Sequence, residues 1–313
     1  MEEITCSLHN YTKFSGMNEL SYYDIAQSAL ECGIDAVLTS DRNVSVKGLN
    51  GFFYKSGNRT LLLSGTENFD PLDNSSPRTL SVDFSSENAS VRERRLLKII
   101  EYNRGAENAF YAQSPSHKEL FTTQDLLKRG FYPSIEEIHK RLAAIDKMWN
   151  NDRRPVILAG NCSSYLTEPI RYPELFSSVA NHLFIPNALS GEIDADAAVL
   201  YDALKAGRLF IAFDGLQSAK GFCFHAVGDN DEEPAYPGET IILRNSVTLK
   251  IRVPEKCRCR LIYNGAVLRE WVNASSMPYT AYEPGVYRVE CAVEHNRRWL
   301  DWIFTNPIYV VRG

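Results

Sequence analysis

The stretch Ile4-Thr5-Cys6-Ser7-Leu8-His9 decides the predicted fold class, because its apolar residues form a short strand that leads into a polar connection and a helix. Ser21 has the side chain of a helix N-cap, and Gly33 suits the end of that helix. Residues 34–39 then have the pattern of a second strand. The order of strand, helix and strand continues to about Leu216 and predicts an α/β fold with a parallel sheet or barrel.

Further segments of the first two thirds fit the same alternation. Residues 91–103 are predicted to be a helix, with an apolar stripe that ends before Gly105. Residues 135–148 indicate a long helix or a strand that runs into one, and residues 195–205 a helix closed by Gly207.

After about Gly215 the pattern changes to short alternating strands, and Asn264-Gly265 is typical of a hairpin turn. The predicted strands are residues 240–243, 247–253, 258–263, 287–293 and 307–311. We therefore predict two domains, an α/β domain over residues 1–215 and a small all-β sandwich over residues 216–313.

The composition excludes several classes of partner. A formal net charge of -5 gives no overall attraction to nucleic acid or to anionic membranes. No apolar run approaches the roughly 20 residues that span a bilayer, and the first residues lack the pattern of a secretory signal. The seven cysteines are an odd number and are expected to be free thiols, with Cys257 and Cys259 as core residues rather than metal ligands. We expect a cytoplasmic protein.

Several motifs in sequence order resemble those of the PHP (polymerase and histidinol phosphatase) superfamily. They are Leu8-His9-Asn10-Tyr11, Thr39-Ser40-Asp41-Arg42-Asn43, Ser64-Gly65-Thr66-Glu67, Ala112-Gln113-Ser114-Pro115 and Gly160-Asn161-Cys162-Ser163-Ser164. Segments of the second half, such as Pro284-Gly285-Val286-Tyr287 and Trp302-Ile303-Phe304-Thr305-Asn306-Pro307, resemble the CehA/McbA-like subgroup. The resemblance implies a distorted, TIM-like (β/α) barrel of PHP type and a metal-dependent phosphoesterase activity, in which bound cations activate a water.

Most of the metal ligands that the resemblance implies are replaced in this chain. His9, Asp41 and Glu67 are retained. The substituted ligand positions are Tyr11, Arg42, Gln113, Cys162 and Ser164. A neutral phenol is a poor ligand and an arginine cannot bind a cation, so the catalytic residues stay unknown and a pseudoenzyme is expected.

Two functions remain open on this basis. In the first, the protein is non-catalytic, and Arg42, Lys13 and Tyr11 bind an anionic or phosphorylated small molecule, or the altered cleft binds a partner. In the second, it is a phosphoester hydrolase with one divalent cation, Mn, Zn or Fe, on His9, Asp41 and Glu67.

Simpler readings compete with both functions. Arg42 can form an internal salt bridge with Asp41 or Glu67 that closes the site, and the three retained residues can be hydrogen-bonded remnants. Cys162 is a weaker candidate for a nucleophile, and the Glu136/His139 pair is best explained as a surface ion pair. The predicted sandwich can pack on the barrel or support a homo-oligomer.

Overall fold

The computed structural model of the protein describes residues 1–16, 19–44, 46, 48–68, 78–84, 95–102, 135–149, 154, 156–160, 172–229 and 233–313. The described helices are α1 (Tyr22–Cys32), α2 (Ile135–Trp149), α3 (Tyr172–Phe176) and α4 (Ile193–Ala206), with a 3₁₀ turn at Lys13–Ser15.

The chain opens with the predicted strand-helix-strand unit. Strand β1 (Glu2–Asn10) lies parallel to β2 (Ala36–Thr39), and α1 connects them. Ser21 and Asp24 form a reciprocal capping box at the start of α1, and Gly33 ends the helix with a left-handed backbone. The predicted N-cap and C-cap of this helix are therefore confirmed.

One large sheet runs from this unit into the C-terminal third. β1 also pairs antiparallel with β9 (Ala180–Ile185), which pairs antiparallel with β10 (Leu209–Ala212). β10 in turn pairs antiparallel with β16 (Arg298–Thr305). Backbone pairing thus crosses the predicted boundary between residues 215 and 216, and the division into two domains stays a prediction.

The predicted distorted (β/α) barrel, including its TIM-like character, is wrong. Strands account for 50% and helices for 19% of the residues that the structure describes, and the main sheet is mixed rather than parallel. A (β/α) barrel needs parallel strands that each lead into a helix. Here β10 pairs antiparallel with β9 on one side and with β16 on the other. Antiparallel neighbours do not need a helix to connect them, so the expected ring of helices is not formed by this part of the sheet.

A second, four-stranded sheet overturns another prediction. Residues 91–103 were expected to be helical, but Arg95–Tyr102 is strand β8, paired with β7 (Arg78–Phe84). The same sheet contains β3 (Asp41–Arg42) and β6 (Gly65–Asn68). A short apolar run fits a helix or a strand equally well, and here pairing with β7 decides.

The C-terminal third consists of strands, as predicted. β13 (Val247–Tyr263) spans two predicted strands and forms a hairpin with β14 (Ala266–Ala281). Asn264 and Gly265 occupy the turn with positive φ, which confirms the predicted hairpin. The remaining strands are β4 (Gly51–Lys55), β5 (Asn58–Leu63), β11 (Cys223–Gly228), β12 (Thr240–Leu243), β15 (Gly285–His295) and β17 (Ile308–Arg312).

In the part of the chain that the structure describes, no helix is both long enough and apolar enough to cross a membrane.

Candidate functional site

The end of β1 carries the first residue of the candidate site in a strained conformation. His9 has a φ of 63°, in the left-handed region that a histidine seldom adopts. The register with β2 shifts between Ser7 and Asn10 at the same place. Such a conformation costs on the order of 1 kcal/mol and is common at functional sites, where the surrounding structure holds it.

Strand pairing places two further site residues next to each other. β3 and β6 lie parallel, and their register sets Asp41 opposite Thr66 and Arg42 opposite Glu67. Both strands are short and follow the carboxyl ends of β2 and β5, where an α/β structure collects its reactive groups. The backbone register of β3 and β6 therefore places Arg42 and Glu67 opposite each other.

Three side chains surround the Glu67 carboxylate, which is fully buried. Arg42 Nε donates to Glu67 Oε2 at 2.9 Å, and Tyr11 Oη donates to the same oxygen at 2.7 Å. His9 Nε2 lies 3.5 Å from Glu67 Oε1 and 2.8 Å from Tyr11 Oη. We call His9, Tyr11, Arg42 and Glu67 the Glu67 cluster.

Arg42 is the cation of the Glu67 cluster. Its guanidinium carbon lies 5.2 Å from the centre of the Tyr11 ring, within the range of a cation–π contact. Partial burial acts to lower the pKa of Arg42, but the nearby Tyr11 and Glu67 raise it by more, so the net shift is upward. The guanidinium therefore stays charged at every physiological pH.

Asp41, the third retained residue, points to different partners. Its Oδ1 accepts from the Thr12 backbone N–H at 2.7 Å, and its Oδ2 accepts from Thr12 Oγ1 at 2.7 Å and Tyr22 Oη at 2.8 Å. Burial is the main reason that the pKa of Tyr22 rises to about 12, so its phenol remains a donor. The two bonds from Thr12 hold the loop after β1 against Asp41 at the start of β3, and the bond from Tyr22 holds α1 there.

The retained residues do not form the predicted three-ligand metal set. His9 and Glu67 lie together, whereas Asp41 is held by Thr12 and Tyr22. Within the described ranges, no three His, Cys, Asp or Glu side chains converge in a way that could hold a metal ion. A cationic side chain, Arg42, lies next to Glu67.

The three predicted anion-binding residues, Tyr11, Arg42 and Lys13, differ in burial and in partners. Tyr11 is fully buried and its hydroxyl lies between His9 and Glu67, while Arg42 is engaged by Glu67. Lys13 is exposed and its ammonium lies 5.9 Å from the ring of Phe14. Gln113, Cys162 and Ser164 lie outside the described residues, as does Glu136 with regard to its side chain.

The histidines outside the motif have other roles. His182 is fully buried between Glu3 Oε1 and Asp214 Oδ2, each 2.8 Å from a ring nitrogen. His139 is half-exposed and lies 3.2 Å from Asp301 Oδ2. His139 thus forms an ion pair across the fold to β16, and the predicted pair with Glu136 stays a prediction.

Sequence reasoning missed the partners that hold Asp41 in place. Thr12 directly follows the motif Leu8-His9-Asn10-Tyr11, and a hydroxyl next to a strand end is a usable signal, but Tyr22 on α1 gave none. Likewise nothing in the sequence linked Glu3, His182 and Asp214, which are far apart along the chain.

No protein-family model matches the chain, and a search of curated proteins found no match. The resemblance to the PHP superfamily therefore depends on the motifs alone.

Proposed function

We propose that the protein is a non-catalytic relative of the PHP phosphoesterases in which an arginine takes the place of a metal ion. We further propose that the altered cleft binds a small anionic or phosphorylated molecule. The observation that carries the proposal is the ion pair of Arg42 Nε with Glu67 Oε2 at 2.9 Å, since Glu67 is the carboxylate that would bridge metal ions in the family.

Loss of catalysis follows from how the carboxylates are used. A hydrolytic cation needs several oxygen and nitrogen ligands that are free to turn toward it. Glu67 accepts hydrogen bonds from Tyr11 and Arg42, and Asp41 accepts three from Thr12 and Tyr22. A cation that entered would have to displace these donors and approach a guanidinium of the same charge sign.

Anion binding follows from the position of Arg42. A quarter of the Arg42 side chain is exposed, whereas Glu67 is fully buried, so Arg42 is the member of the pair that a solute can contact. Glu67 also has Tyr11 as a donor, so Arg42 can be shared with a second anion without leaving Glu67 unsatisfied. The exposed Lys13, two residues after Tyr11, supplies a second positive charge on the adjoining loop.

The free thiols support a reducing compartment, and we propose the cytoplasm. Six of the seven cysteines lie in the described part of the chain, and all six are free.

The metal content of the purified protein tests the loss of catalysis. We expect no stoichiometric Mn, Zn or Fe in the wild type after incubation with excess metal and desalting. The double variant Tyr11→His, Arg42→His restores both histidines of the motif and removes the competing cation, so we expect it to gain metal. Stoichiometric metal in the wild type that disappears in His9→Ala, Glu67→Ala would support the alternative, a hydrolase with one divalent cation.

Calorimetric titration with inorganic phosphate and with a sugar phosphate tests the anion site. We expect saturable binding that weakens about tenfold in Arg42→Gln, because a charge-assisted hydrogen bond is lost. Arg312→Gln is the matched control, since Arg312 is exposed and lies 3.8 Å from Glu283. Equal binding by wild type and Arg42→Gln would overturn the site.

A further inference from the structure

A second feature lies away from the Glu67 cluster, between the end of α4 and strand β17. It is a cavity of about 190 Å³, lined by Arg154, Val156, Lys205, Ala206, Gly207, Gly238, Asn306, Pro307 and Tyr309. Two of these residues are cationic and none is acidic. The nearest acidic neighbour in sequence, Glu239, is occupied by Arg208 Nη1 at 3.6 Å and by the Tyr236 backbone N–H at 2.8 Å.

Arg154 is held in place at the cavity. Its guanidinium carbon lies 4.1 Å from the centre of the Tyr309 ring, and Nη1 donates to Thr240 Oγ1 at 3.0 Å. Arginine has five N–H donors in a fixed plane, so one hydrogen bond to Thr240 leaves most of the planar fork for another acceptor. The stacking on Tyr309 reduces the conformational entropy that binding would cost.

Lys205 brings a second positive charge to the same cavity. It is exposed in the last turn of α4, and among the described residues no carboxylate forms an ion pair with it. Lys55, by contrast, lies 2.8 Å from Glu31. The C-terminus of α4 carries a partial negative charge of roughly half an elementary charge. It therefore offsets only part of the two positive charges of Arg154 and Lys205.

The floor of the cavity is closely packed. A Cβ at Gly238 would lie 1.9 Å from the Ala206 carbonyl oxygen, so only a glycine permits this approach. Asn306 accepts from the Ile157 N–H at 2.8 Å and donates to the Ile157 carbonyl at 3.0 Å. These two hydrogen bonds hold its amide in place where it lines the cavity. Val156, Pro307 and the Tyr309 ring make the other walls apolar.

From this combination we infer that the cavity is a binding site for a small organic anion. The carboxylate or phosphate of the ligand pairs with Arg154 and Lys205, and its compact apolar body lies against Val156, Pro307 and Tyr309. A pocket with apolar walls and a few convergent polar groups is the usual form of a small-molecule site. The inference does not depend on the Glu67 cluster or on any likeness to phosphoesterases.

Calorimetric titration with benzoate and with phenyl phosphate tests the site, with benzyl alcohol as a neutral analogue. We expect saturable binding of at least one anion, part of which depends on Arg154 and Lys205, and no binding of the alcohol. Lys205→Gln and Arg154→Gln should each weaken binding roughly tenfold or more, as expected for loss of a charge-assisted hydrogen bond. Lys220→Gln, which removes an exposed lysine outside the cavity, should bind as the wild type does.

Thermal unfolding of each variant separates loss of binding from loss of fold. Lys205 is exposed, so its substitution leaves the fold intact and decides the question even if Arg154→Gln is unstable. The inference is overturned if neither anion saturates, if benzyl alcohol binds equally well, or if Lys205→Gln binds like the wild type.

Discussion

Arg42 and Glu67 are opposite each other in the parallel register of β3 and β6, and the guanidinium of one donates to the carboxylate of the other. The pair joins a fully buried anion to a cation that is a quarter exposed. A buried charge is tolerated only when it is paired and hydrogen-bonded. Arg42 therefore stabilises the strand ends of the candidate site in addition to its proposed role in binding.

Arg42→Ala should lower the free energy of unfolding by about 2 kcal/mol, because it leaves the buried Glu67 without its cation. Urea denaturation at neutral pH measures the change. The double variant Arg42→Ala, Glu67→Gln should recover part of the loss, since a neutral amide needs no counter-charge. If the double variant is less stable than Arg42→Ala alone, the ion pair does not explain the effect.

The buried His182, which lies between the carboxylates of Glu3 and Asp214, should make the free energy of unfolding depend on pH. Burial alone would lower the pKa of His182, but the hydrogen bonds with Asp214 and Glu3 outweigh it and raise the pKa to about 9 from 6.5. A raised histidine pKa gives stability that is full below pH 6.5 and is lost as the pH rises through 9. The free energy of unfolding that His182 contributes is thus about 3 kcal/mol larger below pH 6.5 than above pH 9.

Urea denaturation of the wild type and of His182→Gln at pH 6 and pH 9.5 checks this prediction. Other groups titrate in the same range, so the quantity to compare is the pH-dependent change in each protein. We expect that change to be about 3 kcal/mol smaller in the variant. Equal changes in the two proteins would show that His182 is neutral in the fold.

A buried ion pair fastens α2 to the main sheet. Arg288 Nε and Nη2 donate to the two carboxylate oxygens of Asp146, each at 2.8 Å, and both side chains are buried. Asp146→Ala should lower the free energy of unfolding by about 3 kcal/mol, because it leaves a buried guanidinium short of a partner.

The partly exposed pair Arg260–Glu270 is the matched comparison for this measurement. Glu270→Gln should change the free energy of unfolding by less than about 1 kcal/mol, since exposed pairs contribute little. Both variants can be compared by urea denaturation at pH 7. Similar losses in the two variants would contradict the assignment of Asp146 as a buried anchor.

Gly238→Ala should destabilise the protein far more than Gly16→Ala. Both glycines have positive φ, but only at Gly238 would the new Cβ collide with a backbone atom, the Ala206 carbonyl oxygen at 1.9 Å. At Gly16 nothing lies within 4 Å, so the cost is that of the left-handed backbone, about 1 kcal/mol. Differential scanning calorimetry should give a clearly lower Tm for Gly238→Ala than for Gly16→Ala. Equal Tm values would mean that the end of α4 can move away from the new Cβ at residue 238.

Local signals in the sequence predicted local structure well. The cap of α1 at Ser21, its end at Gly33, the end of α4 at Gly207 and the hairpin at Asn264-Gly265 are all confirmed. Each depends on the backbone preferences or hydrogen bonds of residues that are close in sequence.

The predictions of a barrel and of a helix at residues 91–103 were wrong because both features depend on residues that are far apart in sequence. Alternation of strands and helices is compatible with several sheet topologies, and only pairing over long sequence distances selects one. The contacts of β10 with β16 and of β7 with β8 decide the topology, and no local pattern records them.

The sequence by itself determined which ionisable residues occupy the strand ends, and it thereby predicted His9, Asp41, Arg42 and Glu67 as candidate site residues. Only the tertiary structure decided how they pair: Glu67 with Arg42, Tyr11 and His9, and Asp41 with Thr12 and Tyr22. The physical reason is that an ion pair depends on distances of 3–4 Å, which strand register and helix packing set between residues far apart in the chain.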